Sequence, residues 1–274
     1  MKYIYTEIKK QNGIILRGVI NTPDDFDEKN KYPTVIIYHG FGGDRNGSTF
    51  FRVQNARYLT DRGFVVARFD FSGTCESDGD FYDMTVSREE KEVEIIHNTV
   101  RLKPFVDRDR LYWVGHSLGG VLSSLMGYKL KPKAMCLLAP ASDMNNPDYI
   151  KVMARTMFEG EIRKKKTEID GIKSFAEIIA SVEDVDIGGA KLNKRFLLDF
   201  IKKDIYGSAK KYQGNVLILR GDSDDLVFKD SNEKLRDSFP HALYEEIEGA
   251  DHSFKNEDHR MLVFEKMYKF FEEN

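Results

Sequence analysis

The chain has 274 residues, 41% apolar and 32% charged, and its 42 Lys and Arg against 45 Asp and Glu leave a formal net charge of −3. A chain this long buries roughly 70–75% of its unfolded surface, enough for a core without disulfide or metal staples. The charge excess over the usual ~25% describes a water-soluble globular protein, and the near balance of signs supplies no field for nucleic acid or an anionic membrane.

Met1–Glu7 mixes charged with apolar residues, so no secretory signal is expected there. Tyr3–Lys9 and Ile14–Ile20 alternate around Asn12-Gly13 and predict a hairpin. Asn21–Lys31 reads as a polar loop, and Thr34–Tyr38 as a strand buried on both faces that stops at His39-Gly40. Phe51–Arg62 has helical spacing and ends at Gly63; Phe64–Phe69 is a second buried strand; Ser87–Lys103 is helical, with Val93, Ile96 and Val100 on one stripe. Leu111–Val114 is a strand, Gly119–Lys131 a helix rich in small residues, and Met135–Ala139 a strand ending at Pro140. Val216–Leu219, Leu243–Ile247 and the helix Asp258–Phe271 complete the pattern.

Strands alternating with helices predict an α/β fold with a mainly parallel central sheet and helices on both faces, in one domain spanning 1–274. Residues 143–212 break the rhythm: they offer no clear buried strand, only short amphipathic pieces such as Phe196–Ile201 and the basic run Arg163–Lys166. They read as an inserted cap above the sheet, with the basic run as solvated surface. No stretch approaches the ~18 uncharged apolar residues of a membrane span. Cys75 and Cys136 lie far apart and read as reduced thiols of a cytoplasmic protein. Neither C-x-x-C nor H-E-x-x-H occurs, so neither metal nor cofactor is expected.

The chemistry concentrates in Gly115-His116-Ser117-Leu118-Gly119, between a strand and a small-residue helix. A sharp strand-to-helix turn needs glycines beside it, because side chains there collide, and it lifts the serine hydroxyl clear of the backbone. The helix amino end offers free N–H groups to a developing anion. An ordinary strand–turn–helix with a surface serine is the plain alternative. A serine nucleophile needs a base, and the base an orienting carboxylate. Of six histidines, His252 lies in a loop after a late strand, where open α/β sheets place their sites; His116 is expected to point away at the turn. For the acid, Asp222, Asp224 and Asp225 follow the strand ending at Gly221, and Asp143 follows an earlier one; the residues alone do not choose among them.

The elbow and the order serine, aspartate, histidine resemble the α/β-hydrolase superfamily. Its G-x-x-D-x-x-V pattern matches Gly221, Asp224 and Val227 and implies Asp224 as the acid. His39-Gly40-Phe41-Gly42-Gly43 resembles the family's oxyanion loop and implies the N–H groups of Phe41 and Leu118 as its donors. Arg68–Gly73, Glu76–Phe81, Met84–Val86, Leu137–Ala141 and Glu248–His252 resemble bacterial cinnamoyl (feruloyl) ester hydrolases and their esterase and monoacylglycerol-lipase relatives, with two departures: Thr74-Cys75 beside the site, and Phe196 where a hydroxylated aromatic is expected. The resemblance implies a serine carboxylic-ester hydrolase acting on hydroxycinnamate or small aryl and short-acyl esters; the composition of the insertion places Phe196 in the expected substrate slot, with Asp148 or Tyr149 as the expected partner of a phenolic hydroxyl. A monoacylglycerol lipase, thioesterase or peptidase on the same fold is the alternative, and a non-enzymatic binding module a more distant one. The partner is a small-molecule ester; the oligomeric state, homodimer included, stays open.

Overall fold

In the computed structural model, which describes residues 2–143, 184–187 and 189–274, the amino-terminal alternation folds as a hairpin of β1 (Lys2–Lys9) and β2 (Ile15–Thr22). The buried runs follow as β3 (Tyr32–Tyr38), β4 (Val65–Phe69), β5 (Val106–His116), β6 (Ala134–Leu138), β9 (Asn215–Gly221) and β10 (Ala242–Ile247). These eight strands form one sheet in the order β1-β2-β4-β3-β5-β6-β9-β10. The pairs β1–β2 and β2–β4 are antiparallel and every other pair is parallel.

Side chains alternate between two apolar layers, as strand geometry requires. On β5, Leu111 and Trp113 face one layer, Tyr112 and Val114 the other; β3 divides Ile36 and Tyr38 from Val35 and Ile37 in the same way. Burial on both sides explains why these strands read as continuous apolar runs. Helices α1 (Phe51–Thr60) and α7 (Glu257–Glu273) close one layer, and α2 (Val86–Arg101) and α3 (Leu118–Leu130) the other. Thr85 caps α2 by accepting from the Arg88 N–H at 3.1 Å.

Two elements depart from the sequence reading. Strand β5 starts five residues before Leu111, because Asp107-Arg108-Asp109-Arg110 extends it without an apolar side chain to mark it. Helix α6 (Lys229–Ser238) lies between β9 and β10 unannounced: Leu235 is the only apolar residue it holds.

Between β6 and β9, the described residues form a short hairpin of β7 (Asp184–Asp186) and β8 (Lys191–Asn193), then α4 (Arg195–Phe200) and α5 (Ile205–Ala209). Leu192, Phe196, Leu197, Phe200 and Ile205 join the apolar layer of α2 and α3. The Asp199 carboxylate accepts from the N–H and Oγ of Ser87 at 2.7 and 2.6 Å, fastening α4 to the start of α2. The expected contacts of Asp148 and Tyr149, and the run Arg163–Lys166, lie outside the described residues.

Strands β3 and β5 are neighbours from which the chain proceeds in opposite directions across the sheet. A crevice opens at their carboxyl ends in such sheets. His39 and Ser117 follow those two ends.

Candidate active site

Strand β5 ends at His116 and α3 begins at Leu118, which leaves Ser117 alone in the turn with φ 55° and ψ −116°. A non-glycine residue so placed costs of order 1–3 kcal/mol and persists only where its surroundings over-determine it. Here the Ser117 N–H donates to the Leu138 carbonyl at 2.8 Å, and the Ser117 carbonyl accepts from the N–H groups of Gly120 and Val121 at 3.0 and 3.2 Å. The glycines are needed for space. A Cβ on Gly115 would sit 2.4 Å from the Gly119 carbonyl oxygen, and one on Gly119 would sit 2.3 Å from that of Tyr38.

The four candidate aspartates stand in different surroundings, and of them Asp224, in the loop after β9, is the one that meets His252. The Asp224 side chain is fully buried; its Oδ1 accepts from the N–H groups of Leu226 and Val227, both at 2.9 Å, and its Oδ2 accepts from His252 Nδ1 at 2.8 Å. A carboxylate can only accept, so the proton sits on Nδ1 and the lone pair of Nε2 is left for chemistry. Asp222 instead accepts from the Gly249 N–H at 2.7 Å, Asp225 is exposed, and Asp143 lies 3.8 Å from Lys234. Arg220, which the sequence reading passed over, braces the Asp224 turn by donating to the carbonyls of Asp224 and Val227, each at 2.8 Å.

Two further histidines flank the serine, and neither is free to act as a base. His39 is 1% exposed, donates from Nδ1 to the Gly40 carbonyl at 2.8 Å and accepts the Phe71 N–H on Nε2 at 3.1 Å. Burial, reinforced by Arg52, pulls its pKa down to about 3. That network fixes the loop in which the Gly43 N–H donates to the Gly40 carbonyl at 3.1 Å. His116 was expected to point away, yet it faces the same cavity as Ser117: its Nε2 lies 2.9 Å from the His252 carbonyl and its Nδ1 3.2 Å from Nη2 of Arg52.

The cavity measures about 470 Å³. Ser117 and His252 line it together with Phe41 and Leu118, whose N–H groups carry the oxyanion expectation. Leu118 opens α3, so its N–H has no acceptor within the helix. Ala141, Phe196, Leu226 and Val227 add apolar wall, while Asp44, Ser48, Arg52 and Ser253 are polar. Phe196 is buried, with its ring centroid 5.1 Å from that of Phe41. Thr74, one of the two departures from the resembled pattern, donates to the Phe71 carbonyl at 2.8 Å beneath His39. Among the described residues no group of three His, Cys, Asp or Glu side chains is arranged to hold a metal ion, and no helix is long and apolar enough to cross a membrane.

Residues 29–259 match the model of the Hydrolase_4 family, described as serine aminopeptidase, S33. A solved structure of Est1E from Butyrivibrio proteoclasticus with ferulic acid bound is similar over 98% of this chain and 98% of its own, at 25% identity and a TM-score of 0.79. A second Est1E structure is similar over 100% of this chain and 98% of its own, at 24% identity and a TM-score of 0.76. Dipeptidyl peptidase 4 from Porphyromonas gingivalis shares the fold over 99% of this chain and 35% of its own, at 20% identity and a TM-score of 0.67. No curated protein sequence matches.

Proposed function

The chain belongs to the Hydrolase_4 family of α/β-hydrolases, and from that membership we propose that it is a serine carboxylic-ester hydrolase working through an acyl-enzyme. The observation that carries this is the pairing of His252 Nδ1 with the buried Asp224 carboxylate at 2.8 Å, in a cavity that the strained Ser117 also lines. In this reading Ser117 Oγ attacks the ester carbonyl carbon while His252 Nε2 takes the hydroxyl proton. The carbonyl electrons move onto oxygen, where the N–H groups of Phe41 and Leu118 receive the negative charge. Collapse expels the alcohol, which leaves with the proton from His252. Water then gives its proton to His252, attacks the acyl carbon, and releases the acid as Ser117 regains its hydrogen. Asp224 holds the imidazole in the tautomer that leaves Nε2 basic.

The substrates in this proposal are hydroxycinnamate and small aryl or short-acyl esters. Support comes from the apolar wall of Phe41, Leu118, Ala141, Phe196, Leu226 and Val227, which suits a flat or short acyl group, and from the likeness to a protein solved with ferulic acid bound. The chain acts as one hydrolase domain with residues 143–212 as its cap, in the cytoplasm. A second reading, an aminopeptidase, is favoured by the family's description and by the negative charge of Asp44, which lines the cavity and whose Oδ1 accepts from the N–H groups of Asn46 and Gly47 at 2.6 and 2.8 Å.

One panel tests both: methyl ferulate, p-nitrophenyl butyrate, a monoacylglycerol, triolein and an aminoacyl anilide, each with the wild type and Ser117→Ala. The expected result is cleavage of the first two, no action on triolein, and loss of activity and of fluorophosphonate labelling in the variant, down to the residue left by binding and the oxyanion donors. Preferred cleavage of the anilide selects the aminopeptidase. A Ser117→Ala protein that keeps a tenth of wild-type turnover removes the nucleophile assignment.

A further inference from the structure

The residue before the nucleophile is tied to the base loop on one side and to a buried cation on the other. His116 Nε2 lies 2.9 Å from the backbone carbonyl oxygen of His252, and His116 Nδ1 lies 3.2 Å from Nη2 of Arg52. A carbonyl oxygen only accepts and a guanidinium only donates. His116 is therefore neutral, with its proton on Nε2 and its Nδ1 lone pair filled by Arg52. Arg52 itself is 5% exposed, and its Nη1 donates to the Asp44 carbonyl at 3.1 Å. Burial draws its pKa down only to about 10, so it stays charged at neutral pH.

We infer that His116 and Arg52 are positioning residues for His252: His116 clamps the base's own backbone carbonyl, and Arg52 locks His116 in the one tautomer that can do so. The inference rests on the proposed role of His252 as the base. Its physical content is twofold. First, the base loop after β10 is joined to the end of β5, so the imidazole and the serine that must exchange a proton are held by one short linkage. Second, the ring centroids of His116 and His252 are 5.1 Å apart. An imidazolium on His116 would oppose the one that forms on His252 during attack. Protonating Nδ1 of His116 would also set an N–H against an N–H of Arg52, which the geometry forbids. Burial first, then His252 and Arg52, hold the His116 pKa well below the ordinary value. The other charged or titratable groups facing this pair are Asp224 behind His252, Asp44 beside Arg52, Arg68 and Asp70 at the end of β4, and Arg260 of α7, whose guanidinium lies 5.7 Å from the Phe51 ring. Phe51 in turn packs 6.1 Å from the His116 ring.

The test uses the full chain with p-nitrophenyl butyrate and, separately, the nitrogen-15 shifts of the histidine rings from pH 5 to 9. His116→Leu, which cannot donate, is expected to lower kcat roughly tenfold to a hundredfold with KM little changed. His116→Gln, which restores an N–H near the position of Nε2, is expected to recover most of that loss. Arg52→Met frees Nδ1, so a second protonation is expected to steepen the acid limb of kcat/KM, and the double variant Arg52→Met/His116→Gln should return to a single-proton limb. In the spectra, wild-type His116 should keep its Nε2–H neutral form throughout, and in Arg52→Met it should titrate.

A wild-type His116 that titrates in that range, or carries its proton on Nδ1, overturns the inference whether or not the protein turns over ester. So does a His116→Leu variant with kcat within twofold of wild type. A loss in Arg52→Met confined to anionic esters would assign Arg52 to substrate binding, and overturns it as well. Should Arg52→Met fail to fold, the two His116 variants and the wild-type spectra still decide. Absence of Ser117-dependent hydrolysis in the wild type counts against the esterase reading alone, since the ring spectra report the His116 linkage independently.

Discussion

The loop after β3 and the loop after β10 both line the cavity and both carry a histidine, and they hold it in opposite ways: His252 lines the cavity itself, while His39 is buried behind the Gly40–Asp44 stretch that does. In the first, both ring nitrogens of His39 are spent on backbone groups, Gly40 on one side and Phe71 on the other. In the second, only Nδ1 of His252 meets a side chain, the Asp224 carboxylate, and the ring reaches the cavity. In the proposed mechanism the first loop presents backbone N–H groups and needs its histidine inert, while the second presents a side chain and needs it basic. A histidine is scaffold or reagent according to what its second nitrogen meets, whatever its distance from the nucleophile.

The difference breaks most severely where the reagent loses its orienting partner. Asp224→Asn replaces an acceptor with an amide that can donate to Nδ1 and stabilise the wrong tautomer. A fall in kcat of about 10⁴ is expected, with little change in the melting temperature. Steady-state kinetics on a neutral ester, paired with thermal melts, checks it.

The scaffold histidine should fail in the other sense. His39→Leu leaves the Phe71 N–H without its partner inside the protein, at about 1–3 kcal/mol for an unsatisfied buried group, and leaves the Gly40 carbonyl with the Gly43 N–H alone. The expected outcome is a marked loss of stability in denaturant titration. Activity should fall by roughly 10²-fold as the Phe41 N–H loses its fixed aim. A variant as stable as wild type would show that water replaces the ring without cost.

The sequence made the two halves of the site unequally legible. The elbow is local: Gly115, Ser117 and Gly119 lie within five residues, and that spacing, set between a strand and a small-residue helix, predicts a turn that exposes the hydroxyl. The partner aspartate was legible only through its spacing from Gly221, a pattern that residue types without the family resemblance left open. The supports were not legible at all. Arg52 and His116 are 64 positions apart, and His116 and His252 are 136 apart. No periodicity links such pairs; the sheet order brings them together. Helix α6 escaped for a related reason, because its inward face carries Ser231, Asn232 and Ser238 as well as Leu235 and so lacks an apolar stripe.

Acid should reach the protein first through its buried scaffold histidines. The pKa of His39 stands at about 3 and that of His97 at about 4, both lowered chiefly by burial, against ~6.5 in an unfolded chain. Between those values the unfolded state binds protons that the folded state refuses. Stability is therefore complete above about pH 6.5 and declines as pH falls toward 4, by about 1.4 kcal/mol per pH unit for each such proton. His97 accepts the Trp113 indole N–H on Nδ1 at 3.1 Å. In His97→Asn the amide oxygen takes over that acceptor without titrating, so the fall in melting temperature between pH 6.5 and 4.5 should be shallower than in wild type. An identical slope would assign the acid lability elsewhere.

The smallest expected effect concerns the contact between the two loops that hold Asp224 and His252, the proposed acid and base. Asp222 Oδ1 accepts from the Gly249 N–H at 2.7 Å and from Ser223 Oγ at 3.0 Å, and its side chain is exposed. It ties the Asp224 turn to the start of the His252 loop, yet it touches neither the imidazole nor the cavity lining. Asp222→Asn keeps a carbonyl oxygen able to accept from Gly249, so what disappears is charge at an exposed position, a change of a few tenths of a kcal/mol. Turnover should stay within about threefold of wild type, against about 10⁴ for the same substitution two residues later. The pair Asp222→Asn and Asp224→Asn, measured side by side, therefore separates a bond that shapes the base loop from a bond that sets the tautomer of its ring. Equal losses in the two would mean that the backbone path between the loops, and not the Asp224 carboxylate alone, governs the orientation of His252.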